Sequence, residues 1–337
     1  MERTSIFAAA FIGVSLTAVL GFWMIPWLKR LKYGQTINEI GPTWHKYKEG
    51  TPAMGGLMFI IGTIAAIAVG YISMTLQMPQ FRTEQFAVEN ARLFLGLAAA
   101  LGFAAIGFID DYTKMRQHRN LGLTAKGKIV LQIAVTAAYV FAMERFGGCT
   151  TAMHVPFIGS VDFGLFYYPL IMFAIIGVVN AVNLTDGLDG LASSVTFVVA
   201  LGFIVIASLR GFAGTTLFST AIASSLIGFL FWNFKPARVF MGDTGSMFLG
   251  GAVVAMAFGV SMQPLMLLSG IVYVGEAFSV MLQVTYFKLT HGKRIFKMSP
   301  IHHHFEMCGW SEEKIIAVFC AVAAVGTGLS IVSAVIS

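Results

Sequence analysis

The sequence predicts an all-α polytopic integral membrane protein with about ten transmembrane helices, and three observations support this class. Of the 337 residues, 57% are hydrophobic and only 11% are charged, whereas soluble proteins carry about 25% charged residues. The mean hydropathy is +0.79. Apolar stretches of roughly 20 residues, the length that crosses the hydrocarbon core of a bilayer, recur along the whole chain. We therefore expect a single transmembrane catalytic domain over residues 1–337.

Ten apolar stretches can be delimited in the chain. They lie at about residues 5–28, 53–75, 92–109, 129–146, 164–183, 191–209, 215–233, 247–263, 265–287 and 315–336. The fifth and ninth stretches are interrupted by Asn180, Asn183, Glu276 and Gln283. The first stretch is too long for the core of a signal peptide, so we expect it to remain as a span. An even number of spans places both termini on the same side of the membrane.

The distribution of Lys and Arg predicts the orientation, because cytoplasmic loops carry the excess of basic residues. Seventeen of the 22 Lys and Arg residues fall in five loops, at 29–52, 110–128, 184–190, 234–246 and 288–314. These loops are therefore expected in the cytoplasm and both termini outside it. The net charge of +6 reflects this bias and an attraction to anionic lipid headgroups, which argues against nucleic acid as a partner.

Every unusual polar cluster lies on or beside one of these five loops. The clusters are Gly41–His45 with Lys48–Gly56, Asp110 and Asp111 with Lys114, Lys126 and Lys128, Asn180–Gly190, Asn233 with Phe240–Ser246, and Pro300–Glu306. Their position on one side of the membrane indicates a catalytic surface. A transporter is the alternative from another class, but its polar residues would lie near the bilayer midplane, where only Glu276 fits. A scaffold would leave all five clusters unexplained.

The clustered aspartates favour a hard cation such as Mg²⁺, which is commonly held by one or two carboxylates together with substrate phosphates. Lysines at 48, 114, 126 and 128 suit the phosphates themselves. Neighbouring residues on a helix point about 100° apart, so Asp110 and Asp111 are not expected to chelate one ion together and are expected to have different roles. The alternative for this pair has no catalytic role: the aspartates would be charged residues at the membrane boundary, paired with Lys114 one helical turn later.

Two Gly-rich segments have the pattern of a turn beside a helix end. Asn180, Asn183 and either Asp186 or Gly187 recur every three to four residues, so they lie on one helix face. The segment Phe240–Ser246 opens the next span, where the free amides of a helix start favour an anion such as phosphate. An ordinary capped interhelical turn is the alternative for each segment.

Three consecutive histidines, His302, His303 and His304, lie on the last basic loop. Adjacent positions rarely converge on one tetrahedral zinc ion, and Cys308 is the nearest sulfur ligand. We therefore interpret these histidines as donors near phosphate, and a basic loop that touches lipid headgroups remains the alternative. The intramembrane Glu276 is left outside the catalytic set, since a structural hydrogen bond or a helix break explains it equally well.

Together, these motifs resemble the polyprenyl-phosphate hexose-1-phosphate transferase superfamily over nearly the whole chain. The resemblance rests on Lys48–Gly56, Asp110–Lys114, Asn183–Gly190, Phe240–Ser246 and Pro300–Glu306, in that order. The triple histidine followed by Phe305 and Glu306 favours the branch that transfers phospho-MurNAc-pentapeptide over relatives that transfer N-acetylglucosamine 1-phosphate.

The resemblance implies a reaction at the cytoplasmic face of the bacterial plasma membrane. UDP-MurNAc-pentapeptide and undecaprenyl phosphate would be the substrates, Mg²⁺ the cofactor, and UMP and lipid I the products. It also implies that Asp243 is the Mg²⁺ ligand, that Asp110 and Asp111 serve the lipid phosphate, and that His302 is needed for activity. Direct displacement is favoured over a covalent aspartyl-phosphate route, because a phosphate monoester is already largely dianionic at pH 7.

The resemblance further implies a nucleotide pocket in which Phe240 stacks on uracil. The pocket would be formed by Lys48, Asn180, Asp186, Gly187, Leu188, Asp189 and Phe240. The remaining candidates for substrate binding are Lys114, Lys126, Asn183, Asn233, Gln283, His303 and His304. The sequence leaves a homodimer open.

Overall fold

Twelve helices and one β-hairpin make up the part of the chain that the computed structural model describes, which is residues 2–30, 50–117 and 122–336. The helices are α1 (Glu2–Arg30), α2 (Gly56–Gln77), α3 (Ala87–Gln117), α4 (Ala125–Arg145), α5 (Tyr167–Thr185), α6 (Leu191–Leu209), α7 (Ala213–Asn233), α8 (Gly242–Gly259), α9 (Leu265–Leu268), α10 (Ile271–Leu289), α11 (Ile301–Met307) and α12 (Glu312–Ile336). Strands β1 (Ala152–Val155) and β2 (Gly159–Asp162) pair antiparallel. Short 3-10 turns lie at Pro79–Arg82, Glu84–Phe86 and Gly164–Phe166.

Eight of the described helices, α1 to α7 and α12, are long and apolar enough to cross a membrane. This agrees with the predicted class, a polytopic protein built mainly of helices. The predicted eighth and ninth spans correspond to α8 and α9–α10, which carry Asp243, Glu276 and Gln283. The count of ten spans and the outside position of both termini remain predictions.

The helix boundaries depart from the predicted spans at two places that matter for the site. Helix α3 continues to Gln117, so Asp110 and Asp111 lie on its last turns rather than in a loop. The predicted span 265–287 is divided, because α9 ends at Leu268 and α10 begins only at Ile271. Neither the β-hairpin nor the short helix α11 was predicted, since both are too short to produce a periodic pattern.

Helix α8 lies at the centre of the bundle, and every residue from Thr244 to Gly259 is buried. It contacts α2, α3, α5, α6 and α7. Small residues allow the closest approach: a Cβ atom on Gly251 would lie 2.8 Å from the Cα atom of Ala100 in α3, which is the packing that membrane helices favour. The start of α8 is therefore held firmly at one end of the bundle.

Candidate active site

Three carboxylates meet where the end of α3 packs against the start of α8. Asp110, Asp111 and Asp243 each place one oxygen atom within 4.8 Å of the others. Gly107 permits this approach, because a Cβ atom there would lie 2.7 Å from the backbone nitrogen of Thr244. The structure thus brings Asp243 together with two adjacent aspartates that lie more than 130 positions earlier in the sequence.

Asp111 caps the N-terminus of α8. Its Oδ2 atom accepts hydrogen bonds from the Thr244 amide at 2.9 Å and the Thr244 hydroxyl at 2.7 Å, and its Oδ1 atom accepts one from the Asp243 amide at 3.2 Å. A carboxylate at this position satisfies free amides and complements the helix dipole. The free amides at this helix start were predicted to favour an anion such as phosphate. Among the described residues, the Asp111 carboxylate is the anion that they bind.

Asp243 is contacted on both carboxylate oxygens. Its Oδ1 atom accepts a hydrogen bond from Asn183 Nδ2 at 2.9 Å, and its Oδ2 atom lies 2.9 Å from Lys114 Nζ and 3.0 Å from Lys128 Nζ. Lys114 also pairs with Asp110 at 2.6 Å, which is the one-turn ion pair considered as the structural alternative. That pair exists, but it forms part of a larger network around Asp243.

The donor set fits a divalent cation. Asp110, Asp111 and Asp243 offer carboxylate oxygens, the ligands that hard cations take, and their cluster could hold one ion. The ammonium groups of Lys114 and Lys128 both approach Oδ2 of Asp243. Positive charge is therefore already drawn to this oxygen. Asp110 and Asp111 make different contacts, as expected, but both lie within reach of one ion.

The turn after α5 contributes two further carboxylates with different surroundings. Burial and, to a smaller extent, the negative charges of Asp243, Asp111 and Asp189 together raise the pKa of Asp186 to about 8. Asp189 is buried, and its Oδ2 atom accepts a hydrogen bond from the Ala237 amide at 2.9 Å. Asp189 therefore ties this turn to the segment that leads into α8.

Two predicted binding amides are engaged inside the protein. Asn180 donates to Gln132 Oε1 at 2.8 Å and accepts from Gln132 Nε2 at 3.2 Å, which joins α5 to α4. Asn233 accepts from the Ser193 hydroxyl at 2.9 Å and donates to the carbonyl oxygen of Val239 at 3.0 Å. Both amides hold the elements that surround the carboxylate cluster.

The three histidines lie on α11 and have distinct partners. His302 is fully buried, and its Nδ1 atom faces Glu276 Oε2 of α10 at 3.0 Å. The Nδ1 atom of His303 lies 3.0 Å from Glu306 Oε2. His304 Nδ1 accepts a hydrogen bond from the Lys297 amide at 3.1 Å. The histidines therefore do not converge on one point, which agrees with the argument against zinc.

The other predicted residues are distributed as follows. Phe240 is half-buried; its amide donates to the carbonyl oxygen of Pro52 at 2.9 Å, and its carbonyl oxygen accepts from the Gly55 amide at 2.8 Å. Leu188 is buried in the apolar core, and Lys126 is exposed on the first turn of α4.

The predicted Gln283 fixes the loop before α11, since its side chain bonds the backbone of Ile295 and Phe296 at 3.0 Å. Gly187 lies against the ring of His302. Lys48 lies outside the described residues.

Sequence reasoning missed several residues that organise the site. Thr244 and Ser246 contact Asp111 and Asn183, and their place inside a Gly-rich motif was the available signal. Gln132 gave no signal of its own. Glu276 was noticed because of its intramembrane position, but nothing in the sequence placed it beside a histidine.

Comparison with known proteins shows the family of the chain. The profile described as glycosyl transferase family 4 matches residues 93–261, a range that includes Asp110, Asp111 and Asp243. A phospho-N-acetylmuramoyl-pentapeptide-transferase of Heliobacterium modesticaldum is 45% identical over 331 residues, covering 96% of this chain and 97% of the relative. Proteins with the same name from Desulfitobacterium hafniense (43% identical, 93% of each chain) and Clostridium perfringens (44% identical, 96% of this chain and 97% of the relative) are similarly close. The chain therefore belongs to the phospho-N-acetylmuramoyl-pentapeptide-transferase family, within glycosyl transferase family 4.

Proposed function

We propose that this chain is a Mg²⁺-dependent transferase that moves phospho-MurNAc-pentapeptide from UDP-MurNAc-pentapeptide to undecaprenyl phosphate. UMP is released and lipid I is formed. The observation that carries the proposal is the cluster of Asp110, Asp111 and Asp243 with two lysines on Asp243, found in a chain whose relatives are named for this transfer. Those relatives favour it over the transfer of N-acetylglucosamine 1-phosphate.

The bond changes explain why positioning and charge neutralisation are the main requirements. An oxygen of the lipid phosphate forms a bond with the β-phosphorus of the sugar nucleotide. The bond from that phosphorus to the bridging oxygen breaks, and UMP leaves with this oxygen. When the lipid phosphate is dianionic, the charges balance without loss of a proton, so no strong general base is needed.

The residues of the cluster divide the work as follows. Asp243 would hold the Mg²⁺, which would neutralise charge on the diphosphate, and Asp111 would keep Asp243 in place by capping the start of α8. Lys114 and Lys128 lie beside the same carboxylate and would contact the phosphates. In this assignment Asp110 orients the attacking phosphate or takes its residual proton.

The nucleotide end of the substrate would lie beyond the cluster, toward the turn after α5. Phe240 is half-buried, and its ring would stack on uracil, since base stacking on aromatic side chains contributes about 1–3 kcal/mol. Asp186 lies on the adjoining turn. Lys48, His303, His304 and Lys126 would contact the outer parts of the substrate.

Direct displacement is favoured over a covalent aspartyl-phosphate. Every oxygen of the three clustered carboxylates already has a partner: Asp110 accepts from the Leu123 amide at 2.7 Å and pairs with Lys114, and Asp111 and Asp243 are engaged as described. A carboxylate held in this way is a poor nucleophile. Exchange of labelled UMP into the sugar nucleotide without lipid phosphate would contradict the direct route.

The site is assigned to the cytoplasmic side of the bacterial plasma membrane, where a soluble nucleotide meets a lipid-borne phosphate. Support comes from the basic residues, 17 of 22 of which lie in the loops on this side. A transporter is not favoured, because the intramembrane Glu276 is paired with His302 and Asp110, Asp111 and Asp243 meet where the end of α3 packs against the start of α8.

The decisive experiment is an assay of UMP release by the purified protein with both substrates, with Mg²⁺ and with chelator. UMP release that stops on chelation and returns with Mg²⁺ supports the proposal, and absence of release from the wild type overturns it. Asp243→Asn should lower turnover at least 1,000-fold in a protein that remains folded, a loss typical of a missing electrostatic group on the order of 10³. The matched control is Asp162→Asn, which changes an exposed carboxylate on the hairpin and should leave turnover within about twofold of wild type.

A further inference from the structure

The buried face of α10 is polar, although the helix lies within one of the predicted spans. Its buried residues are Val272, Tyr273, Glu276, Ser279 and Gln283. The last four recur every three or four positions and therefore form one stripe. Polar groups inside a membrane domain are costly and usually serve a function, so this stripe needs a role that the reaction as described above does not supply.

Tyr273 and Gln283 of this stripe contact neighbouring elements, and Ser279 bonds within α10. The Tyr273 hydroxyl lies 2.8 Å from the Thr196 hydroxyl of α6. Ser279 donates to the carbonyl oxygen of Glu276 at 2.7 Å. Gln283 fixes the loop that leads to α11, as described above. Glu276 lies between them, directly opposite α11.

Glu276 and His302 form an isolated buried pair. Both side chains are 0% exposed, and Oε2 of the carboxylate faces Nδ1 of the imidazole at 3.0 Å. Both carboxylate oxygens of Glu276 and both ring nitrogens of His302 lack a hydrogen-bond partner among the described residues, so the two side chains are joined by their close ionic contact alone. A buried carboxylate without a partner is strongly destabilising, so the histidine is the group that makes Glu276 tolerable at this depth.

The other nitrogen of the same imidazole faces the turn between α5 and α6. His302 Nε2 lies against Gly187, and any side chain at Gly187 would collide with the ring. This turn follows Asn183, which contacts Asp243 at 2.9 Å. The imidazole therefore spans the distance between the buried stripe of α10 and the turn that borders the carboxylate cluster.

We infer that Glu276 is a positioning residue for the transfer reaction and acts through His302. A carboxylate opposite Nδ1 keeps the proton on that nitrogen and orients the ring, so that Nε2 is presented toward the Gly187 turn. There the imidazolium, which carries a proton on each ring nitrogen, donates from Nε2 to the diphosphate of the bound sugar nucleotide. This inference rests on the proposed function for the identity of the substrate, but the Glu276–His302 pair itself does not.

The first measurement is ¹⁵N NMR of the full-length protein labelled at histidine, with the His302 signals assigned by their loss in His302→Gln. We expect Nδ1 of His302 to be protonated in the wild type and its shift to change in Glu276→Gln, which removes the charge and keeps the size. The control is Tyr273→Phe, which removes a buried hydroxyl from the same stripe one turn away and should leave the His302 signals unchanged. An identical His302 spectrum in Glu276→Gln would overturn the inference.

The second measurement is a double-mutant cycle on UMP release. Glu276→Gln should lower kcat by about 10- to 100-fold, the range seen when an orienting partner is removed, and leave the KM for the sugar nucleotide within about twofold. In the His302→Gln background the same change should have little further effect, because residues that act through one another are not additive. A full additional loss in that background, or wild-type kcat in Glu276→Gln alone, contradicts the inference.

The two proposals fail in different ways. A wild-type protein that releases no UMP refutes the proposed transferase and leaves the NMR result on the pair intact. An active wild type whose Glu276→Gln variant behaves normally in both measurements refutes only the positioning role.

Discussion

The capping of α8 by Asp111 gives a prediction that separates two roles for this residue. Asp111 is 9% exposed and accepts three hydrogen bonds from the first turn of α8. Hydrogen bonds to a charged group contribute about 1.5–3 kcal/mol, compared with about 1 kcal/mol for neutral ones, and a charge at a helix start adds about 0.3–1 kcal/mol. Asp111→Asn keeps one acceptor oxygen and loses the charge.

The change also relieves repulsion among three clustered carboxylates, which offsets part of the loss. We therefore expect the start of α8 to be less stable by about 2 kcal/mol, the cost of a lost helix cap. Since 1.4 kcal/mol corresponds to a tenfold change in an equilibrium constant, Asp243 should hold Mg²⁺ at least tenfold less tightly. Thr244→Val is the matched control, because it removes only the hydroxyl bond and should cost about 1 kcal/mol.

The assay is UMP release as a function of Mg²⁺ concentration and, separately, of undecaprenyl phosphate concentration. Asp111→Asn should raise the Mg²⁺ concentration for half-maximal activity at least tenfold and leave the KM for the lipid phosphate nearly unchanged. The opposite result, a normal Mg²⁺ requirement with a raised KM for the lipid, would refute the capping argument. That result is what a direct contact between Asp111 and the lipid phosphate requires.

Two further substitutions test close packing and a buried charge. Gly187→Ala places a methyl group against the ring of His302 and should reduce kcat about 100-fold. The control is Gly177→Ala in α5, which adds its methyl group to open space and should leave kcat within about twofold. Equal activities of the two variants would contradict the prediction. Arg92→Met removes a buried guanidinium that donates to two backbone carbonyl oxygens at 2.7 and 3.3 Å. The change should lower the free energy of unfolding by about 2 kcal/mol and leave the KM unchanged. The control is Arg145→Met at an exposed position, and equal melting temperatures of the two variants would show that the two hydrogen bonds do not stabilise the protein.

The sequence predicted the class of fold because membrane crossing imposes a length and an apolar composition that can be read directly. It also located the motifs that carry the site, since charged residues are too costly within a span to occur without a function. The predicted span 191–209 coincides with α6, as expected for a stretch that is apolar up to both ends. By contrast, the extension of α3 to Gln117 places polar residues in a helix, which hydropathy alone does not indicate.

What the sequence could not provide is the direction in which each polar side chain points. Asp189 and Asn233 belong to the same motifs as Asn183 and Asp243, and Gln283 was also a predicted binding residue. Their hydrogen bonds nevertheless hold loops rather than border the carboxylate cluster. Those partners are distant in sequence, so only tertiary packing reveals them. A motif therefore indicates where a site lies but does not distinguish residues that meet the substrate from residues that support it.

The burial of α8 explains why so many motif residues have a supporting role. The helix is enclosed along nearly its whole length, so Asp243 at its first turn can be placed accurately only if the surrounding turns are placed with it. Asp111 holds the amides of this turn, Asn183 holds the carboxylate, and Asn233 holds the segment before it. Because phosphoryl transfer depends mainly on position and charge, a substitution at any of these supports should impair turnover while every group that touches the substrate is still present.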